Sequence, residues 1–150
     1  MKTTFSLLLL LLFSCTRPPA PELGLTMKGD NFYLQGCLTG QNCVSTHEPQ
    51  NTKNHIPPIK IVGDEEKFKL QLIDYLKKTA GFKITKQESG DYIRATFTSS
   101  VFKFVDDIEF YLPGDNTLQM RSSSRLGYYD FGKNRERLET IRFKYLQRSL

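Results

Sequence analysis

The segment from Met120 to Arg142 carries the residue types best suited to bind an anion or a polar ligand. It reads MRSSSRLGYYDFGKNRERLETIR and concentrates Arg, Ser, Asp and Asn where a predicted strand gives way to a helix N-terminus. Free backbone N–H groups and the helix dipole favour negative charge at such a place. Together with an arginine on a neighbouring strand, the candidate ligand-binding residues are Arg94, Arg121, Ser123, Arg125, Asn134 and Arg135.

Two helices and four strands must position these residues. Asp64 as N-cap and Gly81 as a stop signal predict the first helix, and Asp130 caps a second from about Phe131 to Leu146. Its apolar stripe is Phe131, Leu138, Ile141 and Tyr145. Alternating apolar residues predict strands over residues 82–86, 92–98, 106–112 and from 118 onward. The chain is therefore expected to form a single α+β domain: a four-stranded antiparallel meander with two helices packed on one face, after a long irregular N-terminal lead-in.

The face of the sheet away from the helices is expected to meet solvent. If Leu112 faces Leu118, the same register sets Glu109 opposite Arg121, and Asp107 opposite Ser123. The charges on this face fit either a surface ion-pair ladder or an anion site built from bidentate arginine donors. An enzyme with Asp107, Glu109 or Asp130 as acid or base is a further alternative. No catalytic residue, metal site or cofactor is predicted.

The amino end has the features of an export signal. A single Lys2 precedes an apolar run that is too short to span a bilayer, and Leu12-Phe13-Ser14-Cys15 resembles a bacterial lipobox. We expect residues 1–14 to be a signal peptide, Cys15 to carry lipid, residues 15–30 to be a proline-rich tether and residues 31–150 to form the domain. By analogy with lipoprotein sorting, Thr16 rather than Asp after the cysteine favours the periplasmic face of the outer membrane.

Three cysteines in an exported chain leave one unpaired unless Cys15 is modified. Cys37 and Cys43 are then a possible disulfide in an oxidising compartment. Two free structural thiols are a second reading. A metal site with His47 and His55 is a third, although the spacing matches no recognised zinc motif.

Charge bounds the partners. The chain of 150 residues carries a net charge of +5, which falls to about +4 when Lys2 is removed with the signal peptide. A basic exported domain suits an anionic or polar ligand or an envelope protein, besides the membrane reached through the lipid anchor, and export argues against nucleic acid. Gly127 to Asn134 resembles a P-loop, but Asn134 stands where a hydroxyl would ligate magnesium, so nucleotide binding is not expected.

Three stretches resemble one protein family. Asn42 to Ser45, Phe102 to Phe110 and Arg121 to Arg142 are similar to the signature blocks of the domain-of-unknown-function family 1499. The resemblance implies a shared fold and importance for the motif residues, and it names no reaction. We expect a non-catalytic envelope module that binds an anionic or polar partner or serves a structural role, with the enzyme and a ligand-free spacer as alternatives.

Overall fold

The structure is a computed structural model that describes residues 23–37, 40–87 and 90–146, apart from the side chain of Gln87. It has eight strands and two helices in these ranges. Their bounds, in chain order, are β1 Leu25–Lys28, β2 Asn31–Leu34, β3 Cys43–Ser45, β4 Ile59–Lys60, α1 Glu65–Lys78, β5 Phe82–Gln87, β6 Tyr92–Thr98, β7 Val105–Tyr111, β8 Thr117–Ser124 and α2 Lys133–Leu146. The α+β class predicted from the sequence is confirmed.

Strands β5 to β8 form an antiparallel meander in the predicted order. In the register of β7 with β8, Glu109 faces Arg121 and Asp107 faces Ser123, as predicted. Alternation sends Ile93, Ile108 and Met120 to one face, where they are fully buried. The apolar pattern was sufficient to set the register because a slip of one residue would have moved all of these side chains from the apolar face to the polar face.

The predicted count of four strands is wrong, because the lead-in also pairs. Strands β3 and β4 both add antiparallel to β8, giving a six-stranded sheet with the main order β3-β8-β7-β6-β5. Strands β1 and β2 form a separate hairpin, and β1 lies inside the segment predicted to be tether. Strands as short as Cys43–Ser45 and Ile59–Lys60 cannot show a period-two pattern, so the sequence predicts irregular structure there.

Helix α1 forms where its capping residues predicted. The carboxylate of Asp64 accepts a hydrogen bond from the Lys67 backbone N–H at 2.6 Å, which satisfies one of the free donors of the first turn. The helix ends at Lys78, shortly before Gly81 with its positive φ of 91°. Leu72 and Leu76 are fully buried in the same cluster as the sheet residues.

Helix α2 begins two residues later than predicted. Asp130 is its cap, as expected, because its carboxylate accepts from the backbone N–H groups of Gly132 at 3.0 Å and Asn134 at 2.7 Å. Phe131 lies outside the helix with a φ of +56° and is 83% exposed, so its assignment to the apolar stripe is wrong. Leu138 and Ile141 pack into the core beside α1 and the sheet, which places both helices on one face.

The opposite face of the sheet is not solvated, contrary to expectation. Asp107, Glu109, Arg121 and Ser123 are all buried. The β1–β2 hairpin packs on this face against β7 and β8, and the backbone N–H of Gly24 donates to the Glu109 carboxylate at 2.7 Å. These four polar side chains, which were expected to meet water, are therefore buried, whereas Arg94 and Arg125 stay 27% and 30% exposed at the margin of the same face.

Candidate functional site

Glu109 and Arg121 form a buried ion pair at the centre of the polar face. Nη1 of Arg121 donates to Oε2 of Glu109 at 2.8 Å, and the two side chains are 1% and 0% exposed. The other carboxylate oxygen accepts from the Tyr92 hydroxyl at 2.6 Å and from the Gly24 N–H. Nε of Arg121 is buried and has no hydrogen-bond partner among the described residues. The pair is thus engaged internally and presents no charge to a ligand.

Asp107 is held by two arginines beside this pair. Arg125 binds it in a bidentate manner, with Nε to Oδ2 at 2.7 Å and Nη2 to Oδ1 at 2.9 Å, and Arg94 adds a contact at 3.2 Å. Hydrogen bonding to Asp107 raises the pKa of the Arg125 guanidinium, which partial burial alone would lower. The side chains of Arg94 and Arg125 remain 27% and 30% exposed. Two arginines share one carboxylate, so a net positive charge remains at their exposed atoms. A small anion can approach the polar face there.

A second polar network joins α2 to the sheet, and we call Asn134, Ser122, Ser124, Asn42, Arg137 and Asp106 the α2 clasp. The Asn134 side chain is fully buried and accepts hydrogen bonds from the Ser122 hydroxyl and from Nη1 of Arg137 at 2.9 Å. Its amide donates to the Asn42 carbonyl at 2.8 Å and to the Ser124 hydroxyl at 2.9 Å. Asn134 therefore has all of its hydrogen-bonding capacity used inside the fold.

Arg137 completes the α2 clasp. Its Nη2 donates to Oδ2 of Asp106 at 2.7 Å, with both side chains only 10% exposed, and its guanidinium lies 4.2 Å from the centre of the Phe97 ring. Sequence reasoning did not select Arg137 or Asp106. The contacts of Arg137 with Asp106 and with Phe97 join α2 to two strands, so no spacing along the chain could have revealed them.

The remaining candidate residues, Arg135 and Ser123, also lie at contacts between elements of the fold. Arg135 donates to two backbone carbonyls of the lead-in, including that of His55 at 2.7 Å, and so ties α2 to residues 53–55. Ser123 is buried opposite Cys43 on one neighbouring strand and Asp107 on the other. The structure therefore brings Arg94, Arg121, Ser123 and Arg125 onto one sheet face, and it separates them from Asn134 and Arg135.

The structure joins Cys37 and Cys43 in a disulfide with a Cα separation of 5.7 Å. Because both sulfur atoms are in the disulfide, neither residue is a free thiol or a metal ligand in this structure. Nδ1 of His55 instead bonds the Glu48 carbonyl at 2.8 Å, and the His47 ring stacks on Tyr33 at 4.5 Å. In the described ranges no three His, Cys, Asp or Glu side chains are close enough to hold a metal ion.

The three carboxylates named for an enzyme all have structural contacts. Asp107 and Glu109 are bound by arginines, and Asp130 is bound by the backbone of the loop before α2. The N–H groups that would hold an anion in the P-loop-like segment thus already bind the carboxylate of Asp130. Three open cavities of about 210, 340 and 430 Å³ lie on the described part of the chain, and none of the six candidate ligand-binding residues lines them.

The cavity of about 210 Å³ lies between the β1–β2 hairpin and the β7–β8 turn. Its walls include Tyr33, His47 and Tyr111. Burial is the main cause that raises the pKa of Tyr111, and the negative charges of Asp91 and Asp115 raise it further. The cavity is small and opens to solvent.

Sequence reasoning missed one surface feature. Tyr128 and Tyr129, in the segment between β8 and α2, are 70% and 54% exposed. Phe131 and the pair Phe102 and Phe104 are exposed as well. The signal that could have found them is a run of aromatic residues inside turn segments, where polar residues are the norm.

Cys15, the predicted signal peptide and the start of the predicted tether lie outside the described residues. In the part of the chain that is described, no helix is both long and apolar enough to cross a membrane. No curated protein and no solved structure matches the sequence significantly. A family model described as "Protein of unknown function (DUF1499)" matches residues 33–144, which include both buried polar networks. The chain therefore belongs to the DUF1499 family.

Proposed function

We propose that the chain is a non-catalytic module of the bacterial cell envelope, attached through a lipid on Cys15 to the periplasmic face of the outer membrane. The charged and amide side chains of its signature blocks stabilise the fold, and its exposed surface binds the partner. One observation supports the non-catalytic part of the proposal: the polar side chains of the signature blocks bind other groups of the fold. Arg121 binds Glu109, Arg125 binds Asp107, and Asn134 binds a backbone carbonyl.

Energetics support a structural role for the ion pair. Enclosing two charges costs several kcal/mol each, and the loss is offset only if the geometry and the remaining hydrogen bonds are good. Glu109 receives three donors, from Arg121, Tyr92 and Gly24. An active site would need titratable groups that reach a substrate, whereas these groups are enclosed by a hairpin.

The envelope part of the proposal is supported by the sequence of the amino end and by the disulfide. Leu12 to Cys15 resembles a lipobox, and an acylated cysteine with two or more chains anchors a domain stably. The disulfide between Cys37 and Cys43 is consistent with an oxidising compartment. A basic net charge suits the anionic surfaces of the envelope.

Fractionation of cells that express the full chain tests the anchor. Cys15→Ala should move the protein out of the membrane fraction or leave its signal uncleaved, while the neighbouring control Thr16→Ala should stay in the outer membrane. Thr16→Asp should shift it toward the inner membrane. Mass spectrometry of the mature N-terminal peptide should show acyl groups on Cys15. An unmodified cysteine, with membrane retention unchanged in Cys15→Ala, would contradict the proposal.

A further inference from the structure

Exposed aromatic side chains are concentrated at one end of the domain. Seven of the 13 large hydrophobic side chains that are exposed in the described ranges lie in only two loops, residues 99–104 and 125–132. Five of the seven are aromatic, and we call these five the aromatic end: Phe102, Phe104, Tyr128, Tyr129 and Phe131. Single exposed apolar residues need no explanation, but a contiguous group marks a surface that binds something.

The two loops are neighbours because of the strand order. In the antiparallel meander, the last residues of β6, the first residues of β7 and the last residues of β8 lie at the same end of the sheet. The backbone N–H of Arg125 donates to the Val105 carbonyl at 3.1 Å, and that of Gln41 donates to the Tyr128 carbonyl at 2.9 Å. Each loop is thus held to the sheet or to the disulfide loop, so the aromatic rings project from a supported base.

The backbone of both loops is arranged at a cost. Among the described residues, three that are not glycine have a positive φ, and two of them, Lys103 at 55° and Phe131 at 56°, lie in these loops. A bulky residue is rarely found in this conformation. Phe131 gains little burial in exchange, since it is 83% exposed. Strain of this kind is typical of functional positions, and here its result is a ring directed to the outside.

Three exposed lysines lie at the same end of the sheet as the aromatic end. Lys103 lies between Phe102 and Phe104 in the sequence, while Lys77 and Lys83 lie on the neighbouring end of α1 and start of β5. All three are exposed, and none has an ion pair among the described residues. Aromatic rings flanked by unpaired lysines are typical of surfaces that enter the headgroup region of an anionic bilayer.

We propose that the aromatic end is a membrane-docking surface that inserts Phe102 and Phe131 into the lipid headgroup region of an anionic bilayer. This rests on the proposed envelope location, because docking requires a membrane within reach. The anchor and the surface then fix the orientation of the domain, with the far end of the sheet directed away from the bilayer.

The length of the proposed tether permits this orientation. Residues 16–22 separate Cys15 from the described chain and span at most about 25 Å, at about 3.5 Å per residue. The described chain starts beside Glu109, to which Gly24 is bonded. Along β7 from Glu109 to Val105 the distance to the aromatic end is about 13 Å, at about 3.3 Å per residue. The tether therefore reaches the bilayer when the aromatic end touches it.

Tryptophan fluorescence tests the proposal, because the chain contains no Trp. Phe102→Trp and Phe131→Trp each place one reporter at the aromatic end, in the full chain reconstituted into vesicles of phosphatidylglycerol and phosphatidylcholine. The matched controls Phe32→Trp and Phe143→Trp replace exposed phenylalanines of the hairpin and of the far half of α2. All four variants change an exposed ring only, and circular dichroism should show that each is folded.

Brominated lipids should quench the two reporters several-fold more than the two controls, with a blue-shifted emission for the reporters alone. Lys103→Ala should lower the ratio of docked to undocked protein about five-fold, which is the effect of one lost charge near an anionic surface. Lys28→Ala, in the hairpin, should leave the ratio unchanged. Equal and weak quenching at all four positions would overturn the proposal.

The anchor and the docking surface can fail separately. If Cys15 is acylated and the reporters stay in water, docking is wrong and the proposed envelope location stands. If Cys15 is unmodified and the reporters are quenched by lipid, the surface binds membranes and the anchor is wrong.

Discussion

Replacing Asn134 tests whether the α2 clasp is structural. Asn134→Leu keeps the approximate volume but removes four side-chain hydrogen bonds, to Ser122, Arg137, Asn42 and Ser124. At about 1 kcal/mol for each buried bond the loss is about 4 kcal/mol, and the added apolar group returns about 1 kcal/mol. We therefore expect the free energy of unfolding to fall by about 3 kcal/mol. Urea denaturation followed by circular dichroism, without reductant, measures it.

Asn51→Leu is the matched control, because Asn51 is exposed in the lead-in. It should change stability by less than about 0.5 kcal/mol. A ligand-binding asparagine is held at a cost to the fold, so its replacement often leaves stability unchanged or raises it. A loss below about 1 kcal/mol in Asn134→Leu, or a gain, would refute the structural role of the clasp.

Three further results are expected. Reduction of the Cys37–Cys43 disulfide should lower the free energy of unfolding by about 2 kcal/mol, from the entropy of a short closed loop, as shown by urea titration with and without reductant. Phe131→Gly should raise it by about 0.5–1 kcal/mol, because glycine accepts the positive φ without strain, and thermal unfolding should show a higher midpoint. Since burial raises the pKa of Tyr111, the wild type should lose stability relative to Tyr111→Phe above about pH 10, where the unfolded chain ionises first. Parallel pH profiles for the two proteins would contradict it.

The elements with local signals could be predicted from the sequence. Asp64 and Gly81 bounded α1 because a cap and a stop act within one turn of the helix. The β7–β8 register followed from alternation, and it brought Glu109 opposite Arg121 as expected. Both features depend on neighbours in the sequence or on a single hairpin.

Features that depend on distant contacts could not be predicted. The polar face was expected to be solvated because nothing in β7 or β8 indicates that residues 25–34 fold back over it. The same holds for Arg135, whose partners are backbone carbonyls some 80 residues earlier in the chain. A strand of charged and apolar residues looks the same whether its polar side meets water or an enclosed network.

The central claim is that the signature charges of this family member hold the fold, and a double-mutant cycle on Glu109 and Arg121 tests it most directly. Removing one partner of a buried pair leaves an uncompensated charge, so Arg121→Met and Glu109→Leu should each lower the free energy of unfolding by about 3–5 kcal/mol. The free energy of unfolding of the double variant should fall by less than the sum of the two single losses, and the difference should be at least about 2 kcal/mol. If each single substitution changes the free energy of unfolding only slightly and the two effects add, the claim is contradicted, and a role of these residues in binding is favoured instead.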